Sequence, residues 1–374
     1  MVRLRGQQRK WDRFAKWAPG AAQLAIAIFA LALLGAVLTD RSDLPGEPVA
    51  DGAVSAPAAA AAADASGEES ERDTDLQLYD RIAERVAAGE NYYAVAVEEQ
   101  RARNFPVRPG LAVRLPTLAF ATAMLGQWGM LVLAVALGAA VIAAWWFRLR
   151  EEPGGERNKT FILLLLLIGM LVGLKPQYLA VHEVWAGLLL ALSFGLHRRR
   201  RWIGAWLAAA AALAVREQAL PFVLLMGALA FWRGDWREGT AWALLVLLFA
   251  LGLLLHLQQV GEVISPADPP SPSWLAFRGL GGWTANIVNS SALHNLPGWI
   301  AAPIALTPLL GWSGWRSDAG LFGFLLCLGY GVFFMIAGRD NNFYWALVVM
   351  PVWFVGLAFL PRALTSLWNS ARHR

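Results

Sequence analysis

Long apolar runs alternate with short polar turns along most of the chain. The runs fall near 20–38, 116–147, 160–174, 178–196, 202–215, 219–232, 240–258, 298–311, 319–336 and 343–360. A helix needs about twenty apolar residues to cross a bilayer core of ~30 Å, so the pattern predicts an all-α polytopic bundle of about ten transmembrane helices. One stretch breaks the pattern. Between Asp73 and Tyr93 the apolar residues Leu76, Tyr79, Ile82 and Val86 recur at helical spacing, with Arg81, Glu84 and Arg85 opposite them. Asp73 and Asp75 stand at the start, where helix N-terminal amides favour carboxylates, and Gly89 marks the stop. The stretch predicts an amphipathic helix lying along a membrane surface, with acidic groups at the water boundary.

Three regions follow. Residues 1–38 form a basic N-terminus and a first span. Its apolar core is longer than that of a cleavable signal peptide, so a retained anchor is expected. Residues 39–115 form a first loop, made of a flexible Ala/Pro/Ser/Gly-rich linker over 40–70 and the amphipathic helix. Residues 116–374 form the multi-span bundle. With the N-terminus inside and the spans alternating, Arg148, Arg150, Arg157, Lys159, Arg198–Arg201, Arg233, Arg237, Arg316 and Arg362 fall inside. The outer turns then hold only Lys175, Arg216 and Arg339, as the positive-inside rule requires. The first loop is placed outside, periplasmic if the source is a Gram-negative bacterium, and the chain is expected to be a multi-pass protein of the bacterial inner membrane.

The runs 160–174, 202–215 and 219–232 would cover only about 21–23 Å as helices. Lys175-Pro176-Gln177 and Arg216-Glu217-Gln218 interrupt them on the outer side. Irregular charged backbone at that depth is tolerated where it lines protein or water, so a wet cavity in the outer half of the membrane is expected.

Composition supports this picture. Of 374 residues 57% are apolar and 16% charged, which excludes a soluble enzyme with a single anchor. Many of the 19 Trp fall near span ends, where interfacial aromatics gather. The net charge of +5 is accounted for by topology, and no nucleic-acid motif accompanies it. The single cysteine, Cys327, excludes an intramolecular disulfide and a cysteine-rich metal site.

Lys175, Arg216 and Arg339 come from three outer turns, with Glu217, Asp340, Asn341 and Asn342 beside the arginines. His182 and Glu183 lie about one turn into a span, and His256 near a span end. Converging cations suit an anionic ligand such as phosphate, and a nearby carboxylate suits proton abstraction from a hydroxyl. Together with a lipid-facing cavity, these groups suggest transfer from a lipid-linked phosphate donor. Plainer readings stand beside them. Lys175 could snorkel. Arg216 with Glu217, and Arg339 with Asp340, could be structural pairs, although neighbours on a helix face different ways. His182 is more often a hydrogen-bonded structural residue than a ligand, and His256 more so. Asp73 and Asp75 could be helix caps.

Asp75-Leu76-Gln77-Leu78-Tyr79-Asp80-Arg81-Ile82-Ala83, directly after a first span, resembles the acidic-x-x-x-Tyr-x-x-Ile-Ala pattern of the C-type (GT-C) glycosyltransferase superfamily. It is similar to the first outer loop of bacterial lipid A aminoarabinose transferases and protein O-mannosyltransferases. Gly89–Tyr93, Arg114-Leu115-Pro116, His182-Glu183-Val184-Trp185, Arg216-Glu217-Gln218 and Asn342-Phe343-Tyr344-Trp345 resemble later elements. The resemblance implies a GT-C-like bundle and an inverting transferase that uses a polyprenyl-phosphate sugar. Asp75 inherits the base role, with Asp73 in reserve. Lys175, Arg216 and Arg339 would hold the donor phosphate, with Tyr79, Asp80, Arg114, His182, Glu183, Glu217, Asp340 and His256 in supporting or acceptor-side roles. No cofactor is required, and the Asp73/Asp75 pair leaves a divalent metal conceivable. The acceptor, whether lipid, glycan or protein, stays open. Two departures stand out: no large soluble domain follows the last span, and the linker is long. A transporter or flippase of a lipid-linked saccharide, and a noncatalytic assembly subunit, remain as alternatives.

Overall fold

The computed structural model describes residues 11–41, 74–171 and 173–372, with the side chains of Thr74 and Asp75 outside that description. Among the described residues no strand forms, only isolated bridges such as Arg108 with Pro270. The helices are α1 (Pro19–Leu38), α2 (Thr74–Ala87), α3 (Tyr92–Ala102), α4 (Thr117–Glu151), α5 (Gly155–Leu171), α6 (His182–Leu196) and α7 (Ile203–Val215). They continue with α8 (Leu220–Trp232), α9 (Trp236–Val263), α10 (Gly279–Asn289), α11 (Gly298–Gly314), α12 (Asp318–Ile336), α13 (Met350–Trp353) and α14 (Leu360–Arg372).

The protein is all-helical and carries several apolar helices of membrane-spanning character. Among the described residues four helices are long and apolar enough to cross a membrane: α1, α4 with the turn before it, α9 and α12. A fifth crossing is formed if Asp340–Val348 and Met350–Ala358, bent by 67° at their junction, count as one span. The continuous run 343–360 therefore does not make the straight helix expected from its composition. It breaks into 3₁₀ and α pieces whose every residue from Tyr344 to Gly356 is buried. Glycines let its backbone through. A Cβ at Gly187 would overlap the Leu347 carbonyl oxygen, and one at Gly311 would overlap that of Gly356. Small residues at such contacts let helices approach closely.

Packing gathers two ends. At one, Arg148 donates to the carbonyls of Phe194 (2.6 Å) and His197 (2.8 Å), and His197 Nε2 lies 2.7 Å from Glu238 Oε1. Arg199 pairs with Asp318 (2.9 Å) and Arg362 with Asp12 (2.7 Å) at the same end. At the other end sit α2, α3, the 216–219 turn and the 264–278 loop. Within α1, Ala22 and Ala36 are fully buried against the bundle.

The first-loop helix α2 lies over residues 74–87, and Gly89 follows it at φ +91°. Its apolar face packs inside the protein. Leu78, Ile82 and Val86 join Tyr92, Val95, Phe105, Val107 and Val113 in a separate small core that also takes Val260 from α9. The chain itself covers the face that the sequence pattern assigned to a membrane surface. Arg85 locks the back of this unit, bonding Glu90 (2.6 Å), Glu98 (2.9 Å) and Glu99 (2.9 Å), while Arg103 also bonds Glu99. The hydrogen bond from Arg85 holds the Glu90 carboxyl below its usual range.

Candidate functional site

The site is built at the end that holds the first loop. α7 stops at Val215, the backbone extends at Arg216 (φ −150°), and a 3₁₀ turn over Glu217–Ala219 leads into α8. The short helices thus leave a blunt polar tip where the sequence led us to expect one. Tyr330 on α12 pins this tip by donating its hydroxyl to the Gln218 carbonyl (2.6 Å). Arg216 is 1% exposed. Its Nη2 lies 2.8 Å from Glu183 Oε1 and its Nη1 2.8 Å from Glu217 Oε1. With the Gln218 amide turned so that its oxygen faces inward, it accepts from Arg216 Nη2 (3.1 Å) and Trp345 Nε1 (3.2 Å). The pairing of neighbours Arg216 and Glu217 is therefore real. The objection that adjacent helical residues diverge does not apply, because Arg216 is extended rather than helical.

A second wall comes from the turn after α12. Gly338 takes φ +88°, a conformation that side chains rarely adopt, and its N–H donates to the Trp274 carbonyl (2.7 Å). This aims Arg339 at the same space. The Arg339 backbone N–H donates to Asn342 Oδ1 (3.0 Å). Its guanidinium makes no ion pair among the described residues, and its Nε is buried with no acceptor. Asp340 turns away from Arg339 and meets Arg278 (3.3 Å) instead.

The first loop closes the third side. Arg114 Nε donates to the Tyr79 hydroxyl (3.2 Å), while Tyr92 donates to the Arg114 carbonyl (2.6 Å). Tyr79, Arg114, Arg216, Glu217 and Arg339 line one cavity of about 460 Å³, whose remaining walls include Leu78, Phe105, Trp274, Leu275, Phe333 and Trp345. Three guanidiniums against the carboxylates of Glu183 and Glu217 leave it net positive. A cleft with aromatic walls and a few convergent polar groups is the usual form of a small-molecule site.

The remaining expected residues fall in several places. Lys175 is exposed and absent from the cavity lining; the turn it begins instead puts Pro176 on a neighbouring cavity of about 200 Å³. Arg114 takes the third cationic position that the sequence had given to Lys175. Tyr79, Asp80 and His182 line that smaller cavity, with the Tyr79 and His182 rings edge to face at 5.1 Å. Tyr79 therefore forms a wall shared by the two cavities. His256 Nε2 lies 3.1 Å from the Val113 carbonyl oxygen, beside the turn before Arg114, and His256 is absent from the cavity lining. Asp73 lies outside the described residues. Asp75 begins the α2 register one turn ahead of Leu78 and Tyr79, with its side chain outside the description. Among the described residues no group of three or more His, Cys, Asp and Glu side chains converges as a metal site.

Sequence reading missed α10 and Arg278. Glycines at 279, 281 and 282 lower helix propensity, yet a Cβ at Gly281 would overlap the Thr39 carbonyl oxygen at the end of α1. Arg278 is 6% exposed and donates to Asn286 Oδ1 (3.0 Å) and the carbonyls of Phe334 (3.2 Å) and Ala337 (3.3 Å). It thereby fixes the turn that presents Arg339. A lone arginine flanked by apolar residues, in a loop with no basic neighbour, was the available signal.

No family model matches the chain, and comparisons with curated proteins and with solved structures return no match. The resemblance drawn from Asp75–Ala83 and the later motifs rests on those residues alone.

Proposed function

We propose that the protein is a membrane glycosyltransferase of GT-C-like architecture, with the cavity between the first loop and the 216–219 turn receiving a polyprenyl-phosphate sugar. The observation that carries this reading is the convergence of Arg114, Arg216 and Arg339 in one cavity with aromatic and aliphatic walls. The guanidiniums suit a phosphate, and the walls suit the first prenyl units. Glu183 and Glu217 hold Arg216, so Arg114 and Arg339 carry the greater share of anion binding.

In the reaction, the acceptor hydroxyl oxygen attacks the anomeric carbon and the bond from that carbon to the phosphate oxygen breaks. The lipid phosphate leaves with the bonding electrons, and the arginines stabilise its charge. The hydroxyl proton passes to a carboxylate, the role assigned to Asp75 on α2. The smaller cavity across Tyr79 is suited to the acceptor, a lipid, glycan or protein hydroxyl. With the basic end of the bundle on the cytoplasmic side, the cavity opens to the periplasmic face of a bacterial inner membrane.

The test is transfer from a synthetic short-chain prenyl-phosphate sugar by the purified full-length protein. Release of prenyl phosphate that is lost in Asp75→Asn, with donor binding retained, supports the reading. Equal release by Asp75→Asn removes that residue from the mechanism. Donor movement across a vesicle bilayer without bond cleavage would instead indicate a flippase.

A further inference from the structure

A third cavity, of about 500 Å³, lies at the other end of the bundle between α1, α11 and α12. Ala25, Phe29 and Ala32 present one face of α1 to Leu309 of α11 and to Phe324 and Leu328 of α12. Along α1 the lining of this groove runs from Ala25 to Ala32, about 10 Å, and it continues through Trp17 and Phe14 to Arg13 before the helix. It is almost wholly apolar except at its mouth, where Arg13 stands.

The mouth is cationic. Arg13 donates one Nη2 bond to the Trp315 carbonyl (3.3 Å), and its Nε is buried with no acceptor. Neither Arg13 nor the exposed Arg316 makes an ion pair among the described residues. The adjacent Asp12 is already taken by Arg362 (2.7 Å). Burial and the like charge of Arg316 together hold the Arg13 pKa below its ordinary value, a strain that a bound anion relieves.

We infer that this groove is a binding site for one anionic phospholipid of the leaflet on the Arg13 side, with an acyl chain along α1 and the phosphate between Arg13 and Arg316. The lipid fills the gap between α1 and the bundle. Since the far end of α1 packs on Gly281, three residues from Arg278, lipid occupancy also steadies the element that leads into the first loop. The site is separate from the sugar-donor cavity and does not depend on that reading.

The experiment uses full-length protein in mild detergent, with native mass spectrometry counting bound lipid after exposure to phosphatidylglycerol or phosphatidylcholine. One phosphatidylglycerol per chain is expected, preferred over phosphatidylcholine by about tenfold or more. Arg13→Gln with Arg316→Gln should bring the two lipids to parity, and Ala32→Trp should lower retention of both. Free glycerol 3-phosphate should fail to displace the lipid. The inference is overturned by equal retention of both lipids by the unaltered protein, by an undiminished preference in the double arginine variant, or by displacement with free glycerol 3-phosphate. Should Ala32→Trp not fold, the double arginine variant, at the edge of the bundle, decides alone.

Discussion

The buried pair of Arg216 and Glu183 gives the sharpest separation of structural from ligand-binding roles. Their side chains are 1% and 3% exposed and 2.8 Å apart. Arg216→Met removes the cation and leaves Glu183 buried without it. Breaking a buried pair from one side typically costs about 3–5 kcal/mol. Glu183→Gln costs less, about 1–3 kcal/mol, because Arg216 keeps Glu217 at 2.8 Å and the Gln218 oxygen at 3.1 Å. In the double variant no uncompensated charge remains at position 183, so its cost should fall short of the sum by roughly 1.5–3 kcal/mol. Reversible unfolding in mixed micelles measures all three. A double variant additive to within about 0.5 kcal/mol would refute the pairing as an energetic unit. In the same proteins, donor affinity should fall less in Arg216→Met than in Arg339→Met, because the second guanidinium has no carboxylate partner to release it from. The reverse order would mean that Arg216 exchanges Glu183 for phosphate on binding.

Other outcomes follow from particular contacts. Arg114→Ala and Arg339→Ala should each weaken prenyl-phosphate binding by about 10- to 100-fold, the worth of a hydrogen bond to a charged group, measured by titration in micelles; Lys175→Ala should leave it unchanged. Gly311→Val must drive its side chain into the Gly356 carbonyl and part α11 from the broken span, so monodisperse protein should be lost on size-exclusion chromatography. The 264–278 loop is strapped to α3 by Arg101 and Asp268, with Nε and Nη2 each 2.8 Å from a carboxylate oxygen. The hydrogen bond from Arg101 lowers the Asp268 pKa to about 2. A depressed folded-state pKa contributes stability above the unfolded value of ~3.9. That contribution should fade as pH drops from about 4 towards 2, seen as faster cleavage by pepsin near Asp268. Asp268→Asn should remove the pH dependence.

The hydrophobic pattern by itself determined that the described residues are helical and include several apolar helices long enough to cross a membrane, and where most helices begin and end. It did so because burial in lipid imposes a length and a composition on each element. The amphipathic spacing of Leu76, Ile82 and Val86 located α2 because a helix with one apolar face must bury it, here against the chain itself. The interruptions at Arg216-Glu217-Gln218 and at Arg339 were legible as well, since ionisable residues are too costly at depth to occur without a partner or a cavity. Tertiary structure decided the rest. Composition counts apolar residues but not the direction of the backbone, so 343–360 read as a straight span although glycine contacts and a 67° bend hold it broken inside the bundle. Only packing could place Arg114 rather than Lys175 in the cavity, send Asp340 to Arg278, and divide Arg216 between two carboxylates. Those partners lie 33 to 62 residues apart in sequence or meet through an extended kink. A periodicity carries the faces of one element, and the meeting of different elements is written in no single stretch of it.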